Sequence, residues 1–174
     1  RIKSVVTVSA VDTGASARKG WYGTGPDSDQ VATLAMVAAE RTAIARGAKP
    51  TLVPYLPEVN ADTPRDLREA YDYYRLPSRQ LHANSPNQML LISLDKMIAF
   101  TGFDQIDKLL TQPLLVIAGK EAGSLWHSQE LHARAASKDK ELFLIDGAAH
   151  MDLYEGKHVD QALTKISPFF KRTL

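Results

Sequence analysis

Three short, mostly apolar runs stand out along the chain, at Ile2–Val8, Leu114–Ala118 and Leu142–Ile145. Each is too short to be a core helix, and each is followed by small, polar or glycine-containing segments that are typical of loops. The last two runs are apolar at every position, as expected of parallel strands that are covered on both faces. The pattern therefore predicts three strands, two of them buried.

Helical spacing of apolar residues fills most of the remaining chain. The predicted helices are Asp27–Arg46, residues 64–76, Met89–Phe100, Leu125–Ser137 and His158–Lys171. Pro168 lies inside the last of them and predicts a kink or a restart there, because proline removes a backbone donor. The helices between the first two strands form an insertion of roughly residues 20–108, too large for a simple crossover. The order after residue 113 predicts a doubly wound α/β fold.

Composition removes several classes of function. The 174 residues carry a formal net charge of +1, which provides no field to attract nucleic acid or an anionic membrane. No apolar run approaches the roughly 18 residues that a membrane helix needs.

The chain has no cysteine, which suits a reducing compartment, and we expect a cytoplasmic location. Because it starts with Arg1 and enters a strand almost at once, we expect a fragment of a longer protein.

His150 is the first candidate for chemistry. It follows the strand Leu142–Ile145 across a loop of small residues, Gly147, Ala148 and Ala149. Open α/β sheets place their sites at the carboxyl ends of strands, so this imidazole is well placed to react. The alternative is a histidine that only caps a neighbouring backbone group.

Two further histidines, His127 and His132, are five residues apart on one predicted helix. This is not the spacing of a helical metal site, and no metal is expected.

Longer motifs carry a resemblance to a known family. They are PLLVIAGKEAG, WHSQEL and ELFLIDGAAHMDLYEG between Pro113 and Leu174, together with the upstream VSAVD and REAYDYYR. The chain resembles the C-terminal half of an α/β-hydrolase of the dienelactone-hydrolase-like branch. This resemblance implies one domain over residues 1–174: parallel strands flanked by helices, with residues 20–108 as a helical cap.

The resemblance also implies a Ser-His-acid triad, with His150 as general base and acid. Glu121 is the proposed acid, because Gly123 stands where relatives commonly carry an aspartate; Asp12, after the first strand, is the alternative. Asp152 is expected to organise the histidine loop. No Gly-x-Ser-x-Gly elbow is present, and Gly14–Arg18, the nearest approximation, is interpreted as a loop. The serine is therefore expected in an N-terminal half, which would be the partner of this chain.

These features predict a serine-type hydrolase of ester or related acyl bonds, with a small-molecule acyl substrate and no cofactor. Two alternatives stay open. One is an acyltransferase or peptidase with the same triad, since the acyl group could pass to another acceptor or come from an amide. The other is a catalytically inactive binding module, because Gly123 replaces the expected acid.

Overall fold

The computed structural model describes residues 2–79 and 81–174. Arg1 and Gln80, which fall inside the predicted domain, lie outside the described residues, as do the side chains of Asp27 and Ser28. The strands are β1 (Val5–Val8), β2 (Leu52–Val53), β3 (Met89–Leu90), β4 (Leu114–Gly119) and β5 (Lys140–Ile145). The helices are α1 (Thr13–Lys19), α2 (Asp27–Ala45), α3 (Arg65–Arg75), α4 (Leu94–Ala99), α5 (Ile106–Leu109), α6 (Leu125–Arg134) and α7 (Lys157–Thr173).

The chain divides into two compact units. One contains residues 1–12, 21–23 and 101–174, and the other contains residues 13–20 and 24–100. The first unit holds a three-stranded parallel sheet in the order β1-β4-β5. Gly119 lies opposite Ile145, so β4 and β5 end level, whereas β1 ends at Val8, opposite Ile117 and two residues before the end of β4. The predicted parallel strands are confirmed.

The central strand β4 is buried on both faces, which explains its uninterrupted apolar sequence. Leu115 and Ile117 point to one face and Leu114 and Val116 to the other, because side chains alternate along a strand. The first face packs against Ala162 and Phe169 of α7, with Ile145, Ala148 and Leu153. The second packs against Leu131 of α6, with Phe103, Ile106 and Ala135. Helices cover both faces of the sheet, and the predicted α/β class is confirmed.

The second unit is mainly helical and contains α1 to α4 with the short antiparallel pair β2–β3. Gly14 of α1 lies so close to the end of α4 that a Cβ at this position would be 1.8 Å from the Phe100 carbonyl oxygen. The Arg18 guanidinium donates hydrogen bonds to the carbonyl oxygens of Ile98 and Phe100, at 2.6 and 2.8 Å. These bonds satisfy acceptors that a helix leaves open at its carboxyl end.

None of the helices in residues 2–79 and 81–174 has the length and apolar character to cross a membrane.

Two local predictions were wrong, and one form of a third was wrong. The predicted helix Met89–Phe100 begins as β3, because Met89 and Leu90 pair with β2, and becomes α-helical only at Leu94 after a 3-10 turn. The predicted loop Gly14–Arg18 lies inside α1, a helix with glycine in its first turn. Of the kink or restart predicted at Pro168, the restart does not occur, since α7 runs through this residue as one helix.

Candidate functional site

Three loops meet at the carboxyl edge of the sheet in the first unit. They follow β1, β4 and β5, and hydrogen bonds to the carbonyl oxygens of the last loop tie them together. The Glu121 N–H donates to the Ala148 carbonyl oxygen at 2.9 Å, and the Ser9 hydroxyl donates to the His150 carbonyl oxygen at 3.3 Å. A Cβ on Gly119 would lie 2.1 Å from the Ala148 carbonyl oxygen, so only glycine allows β4 to approach the histidine loop this closely.

His150 lies at this edge with both ring nitrogens hydrogen-bonded. It is 5% exposed, and its Nδ1 is 2.7 Å from the Ser124 hydroxyl oxygen, while its Nε2 is 3.2 Å from the Tyr154 hydroxyl oxygen. In the tautomer protonated at Nδ1, the ring donates to Ser124 and Nε2 accepts from Tyr154. A general base that acts through Nε2 needs this tautomer, because Nε2 then keeps a lone pair that can accept a proton.

The histidine loop is held by a carboxylate two residues further along the chain. Oδ2 of Asp152 accepts a hydrogen bond from the Ala149 N–H at 2.8 Å. Gly147 has a φ of +70°, which lets the chain turn sharply after β5. Asp152 thus has a contact of the kind that the sequence predicted, to the backbone of the loop.

Replacing Asp152 with alanine is expected to destabilise the protein by about 1–3 kcal/mol, because the Ala149 N–H loses a charged acceptor. Urea unfolding measures this change. The matched control is Asp146→Ala, which removes an exposed ion pair with Lys120 and should cost less than about 1 kcal/mol. Equal losses in the two variants would show that the Asp152 hydrogen bond does not hold the loop.

The two candidate acids have different surroundings. The Glu121 side chain is exposed on the loop after β4. Asp12 is 3% exposed, and its Oδ2 accepts a hydrogen bond from the Thr101 hydroxyl at 3.0 Å. The backbone N–H of Asp12 donates to Nδ1 of His127 at 3.4 Å. Asp12 is therefore fixed through both its side chain and its main chain.

Gly123, in the loop after β4, is covered by an aromatic ring. A Cβ on Gly123 would lie 2.3 Å from Cε1 of Tyr22 and 2.9 Å from Cδ1 of Trp21. Trp21 in turn meets the His150 ring edge-on, with ring centres 4.9 Å apart. Trp126 donates its indole N–H to the Trp21 carbonyl oxygen at 3.0 Å. The space for a side chain at residue 123 is therefore occupied by Trp21 and Tyr22.

His127, on the first turn of α6, is completely buried and stacks on Trp126 with ring centres 3.6 Å apart. Burial lowers the pKa of His127 to about 4, against the opposing effects of Asp12 and Glu130 and with a further lowering by His150. The ring is therefore neutral near pH 7. Its Nε2 has no hydrogen-bond partner within the part of the chain that the structure describes.

The depressed pKa of His127 predicts a pH-dependent stability. Between pH 6.5 and about 4 the unfolded chain binds a proton at this residue and the folded chain does not, so stability falls as the pH falls through this window. The expected loss is about 3 kcal/mol, from the difference between the two pKa values. Urea unfolding at several pH values measures it, and His127→Leu should flatten the curve. An unchanged slope in that variant would contradict the assignment.

Sequence reasoning missed several members of this site. Ser124 follows Gly123 directly, and Tyr154 lies within the motif ELFLIDGAAHMDLYEG, four residues after His150. His127 was considered only as a metal ligand. In residues 2–79 and 81–174, no group of three or more histidine or acidic side chains could hold a metal ion.

Comparisons with known proteins agree with this fold. No protein-family model matches the chain. It is 36% identical over 176 residues to the uncharacterized protein YcjY of Escherichia coli K12, an alignment that covers 100% of this chain and 57% of YcjY. It is 28% identical over 158 residues to the uncharacterized protein PA2218 of Pseudomonas aeruginosa, covering 89% of this chain and 42% of PA2218. The chain thus spans about half the length of the curated relatives it matches.

Two solved structures extend the comparison. The crystal structure of PA2218 matches with a TM-score of 0.86 and 26% identity, over 99% of this chain and 54% of that chain. The α/β-hydrolase GrgF from Penicillium sp. sh18 matches with a TM-score of 0.67 and 18% identity, over 99% of this chain and 56% of that chain. The chain therefore has an α/β fold with a helix-flanked parallel sheet, the fold found in solved α/β-hydrolases.

Proposed function

We propose that this chain is part of a serine-type hydrolase that cleaves small-molecule esters or related acyl bonds. The observation that carries the proposal is His150, buried at the carboxyl end of β5 with its two nitrogens bonded to different hydroxyl groups. Such a ring is held in one orientation, which a proton-transferring group requires. Membership of the dienelactone-hydrolase-like branch is part of the same proposal.

The proposed reaction uses Nε2 of His150 twice. A serine hydroxyl attacks the ester carbonyl carbon and gives its proton to Nε2, and the resulting imidazolium returns that proton to the leaving alcohol as the C–O bond breaks. Water then attacks the acyl-serine, again through Nε2, and releases the acid while the serine regains its proton. Ser124 keeps the ring in place at Nδ1 throughout, and Tyr154 leaves Nε2 when the nucleophile arrives.

The nucleophile is proposed to come from an N-terminal half. Ser124 is within reach of the imidazole but is 2% exposed, so a substrate carbonyl has no access to its hydroxyl.

The edge of β1 supports a missing partner. The N–H groups of Val5 and Ser9 donate to the carbonyl oxygens of Pro113, just before β4, and Ile117 of β4. The alternation of a strand turns the N–H and C=O of Val6 and Val8 to the opposite edge. No strand of the described residues pairs there.

Two carboxylates compete for the third role in the triad. Glu121 belongs to the loop in which related hydrolases place the acid, and its loop is bonded to Ala148 beside the histidine. Asp12 is buried, and its charge and that of His150 both act on the pKa of His127. Either acid would stabilise the imidazolium that forms during proton transfer.

Hydrolysis of p-nitrophenyl acetate by the natural full-length polypeptide tests the proposal. We expect turnover that a fluorophosphonate abolishes, because this reagent forms a stable bond with an activated serine. The chain of residues 1–174 alone should show none. Full-length protein that folds but neither hydrolyses acyl substrates nor reacts with the reagent would favour the inactive binding module, the alternative that Gly123 beneath Tyr22 supports.

A further inference from the structure

His127 is a buried titratable group that the proposed reaction does not use. Its Nδ1 accepts the Asp12 N–H, so in the neutral ring the proton resides on Nε2, a donor with no partner among the described residues. A leucine or phenylalanine would fill the same space without burying an unpaired N–H. Packing alone therefore does not account for an imidazole at this position. The imidazole supplies an acceptor for the main-chain N–H of Asp12, which an apolar side chain cannot do.

Asp12 is held at a second point as well. The Thr101 hydroxyl donates to Oδ2 of Asp12 at 3.0 Å, which restricts the carboxylate itself. His127 also lies close enough to both Asp12 and His150 that each of them affects its pKa. The three residues come from the loop after β1, the first turn of α6 and the loop after β5. The loop that carries Asp12 is also bonded to the histidine loop, because the Ser9 hydroxyl donates to the His150 carbonyl oxygen at 3.3 Å.

We propose that His127 is a positioning residue that fixes Asp12 as the acid partner of His150. This rests on the proposed function and deepens it, because it commits the acid to Asp12 rather than Glu121. The neutral imidazole adds an acceptor beside the carboxylate without adding a positive charge that would pair with it. His127 therefore does not neutralise the Asp12 charge, which remains available to stabilise the imidazolium that forms on His150 during turnover.

The proposal predicts how the pKa of His150 responds to substitution. A carboxylate held beside an imidazole raises its pKa, so removing or displacing that charge lowers it. We expect Asp12→Asn to lower the pKa of His150, and His127→Leu to lower it in the same direction. His127→Asn should keep it near the wild-type value, because the amide oxygen can replace Nδ1 as the acceptor. His132→Leu on the same helix is the matched control and should have no effect.

The experiment is an NMR titration of histidine-labelled full-length protein, combined with the pH dependence of kcat for p-nitrophenyl acetate. The charged and titratable groups that act on the pKa of His127 are Asp12, Glu130 and His150. All three are present in every variant except Asp12→Asn. We expect His127→Leu to reduce kcat roughly 10- to 100-fold through misplacement of the acid, and His127→Asn to restore most of it. Circular dichroism confirms that each variant is folded.

Several results would overturn the proposal. They are a His150 pKa that is unchanged in folded His127→Leu, equal effects of leucine and asparagine, or a wild-type His127 ring with its proton on Nδ1. The titration does not require turnover, so it separates the two claims. A wild-type protein without hydrolysis refutes the proposed function, whereas a His150 pKa that ignores Asp12 and His127 refutes the positioning role in an active enzyme.

Discussion

Full-length protein carrying His150→Ala is expected to lose at least about 10³-fold in kcat/KM for p-nitrophenyl acetate, because the serine then has neither a base nor an acid. The ring is the group that both proposed proton transfers use. Its loss should leave folding intact if the loop is held mainly by Asp152, which accepts the Ala149 N–H independently of the imidazole. Steady-state kinetics and circular dichroism on the same preparation measure the two effects.

The matched control for this variant is His132→Ala, which removes a partly buried histidine from α6 away from the proposed reaction. Its kcat/KM should stay within about 3-fold of wild type, as expected for a residue outside the reacting groups. Equal losses in the two variants, or an active His150→Ala enzyme, would show that the imidazole at the end of β5 is not the base.

The second large effect concerns the acid. Asp12→Asn is expected to reduce kcat by about 10³- to 10⁴-fold, because the neutral amide does not stabilise the imidazolium that forms on His150. Glu121→Gln changes the same chemical group on an exposed loop and should reduce kcat less than about 3-fold. Asp12→Asn and Glu121→Gln both keep the side-chain volume and remove the charge. A change in volume therefore cannot explain a difference in kcat between them.

The reverse order of effects, with Glu121→Gln inactive and Asp12→Asn active, would identify Glu121 as the acid and contradict the role assigned to His127. Comparable losses in both variants would mean that the two carboxylates share the function. Both positions lie on loops at the same sheet edge. Fluorophosphonate reactivity should be measured alongside kcat for both variants. It reports the activated serine without depending on the choice of ester.

The sheet could be predicted from sequence because its signal is local. Leu114–Gly119 is apolar at every position up to the glycine, and a strand buried on both faces requires that pattern. The position of His150 after β5 followed from the same reasoning. The pair β2–β3 could not be predicted, since two residues in each strand leave no periodicity to detect, and the adjoining apolar residues read as one helix.

The contacts within the site could not be predicted, because they join residues far apart in sequence. Asp12 and His127 are 115 positions apart, and Ser124 and His150 are 26 apart. No spacing rule connects such pairs; only the alignment of parallel strand ends brings their loops together. The role of Gly123 also depends on a tertiary contact, since its neighbour in space is Tyr22, about a hundred residues earlier in the chain.

The measurement that tests the central claim most directly is the site of fluorophosphonate attachment, determined by mass spectrometry of digested full-length protein. We predict a single labelled serine outside residues 1–174, in the N-terminal half, and no label when His150 is replaced by alanine. Attachment to Ser124, or to any other serine of this chain, would contradict the account, because the nucleophile would then lie within the part that we assign to the base.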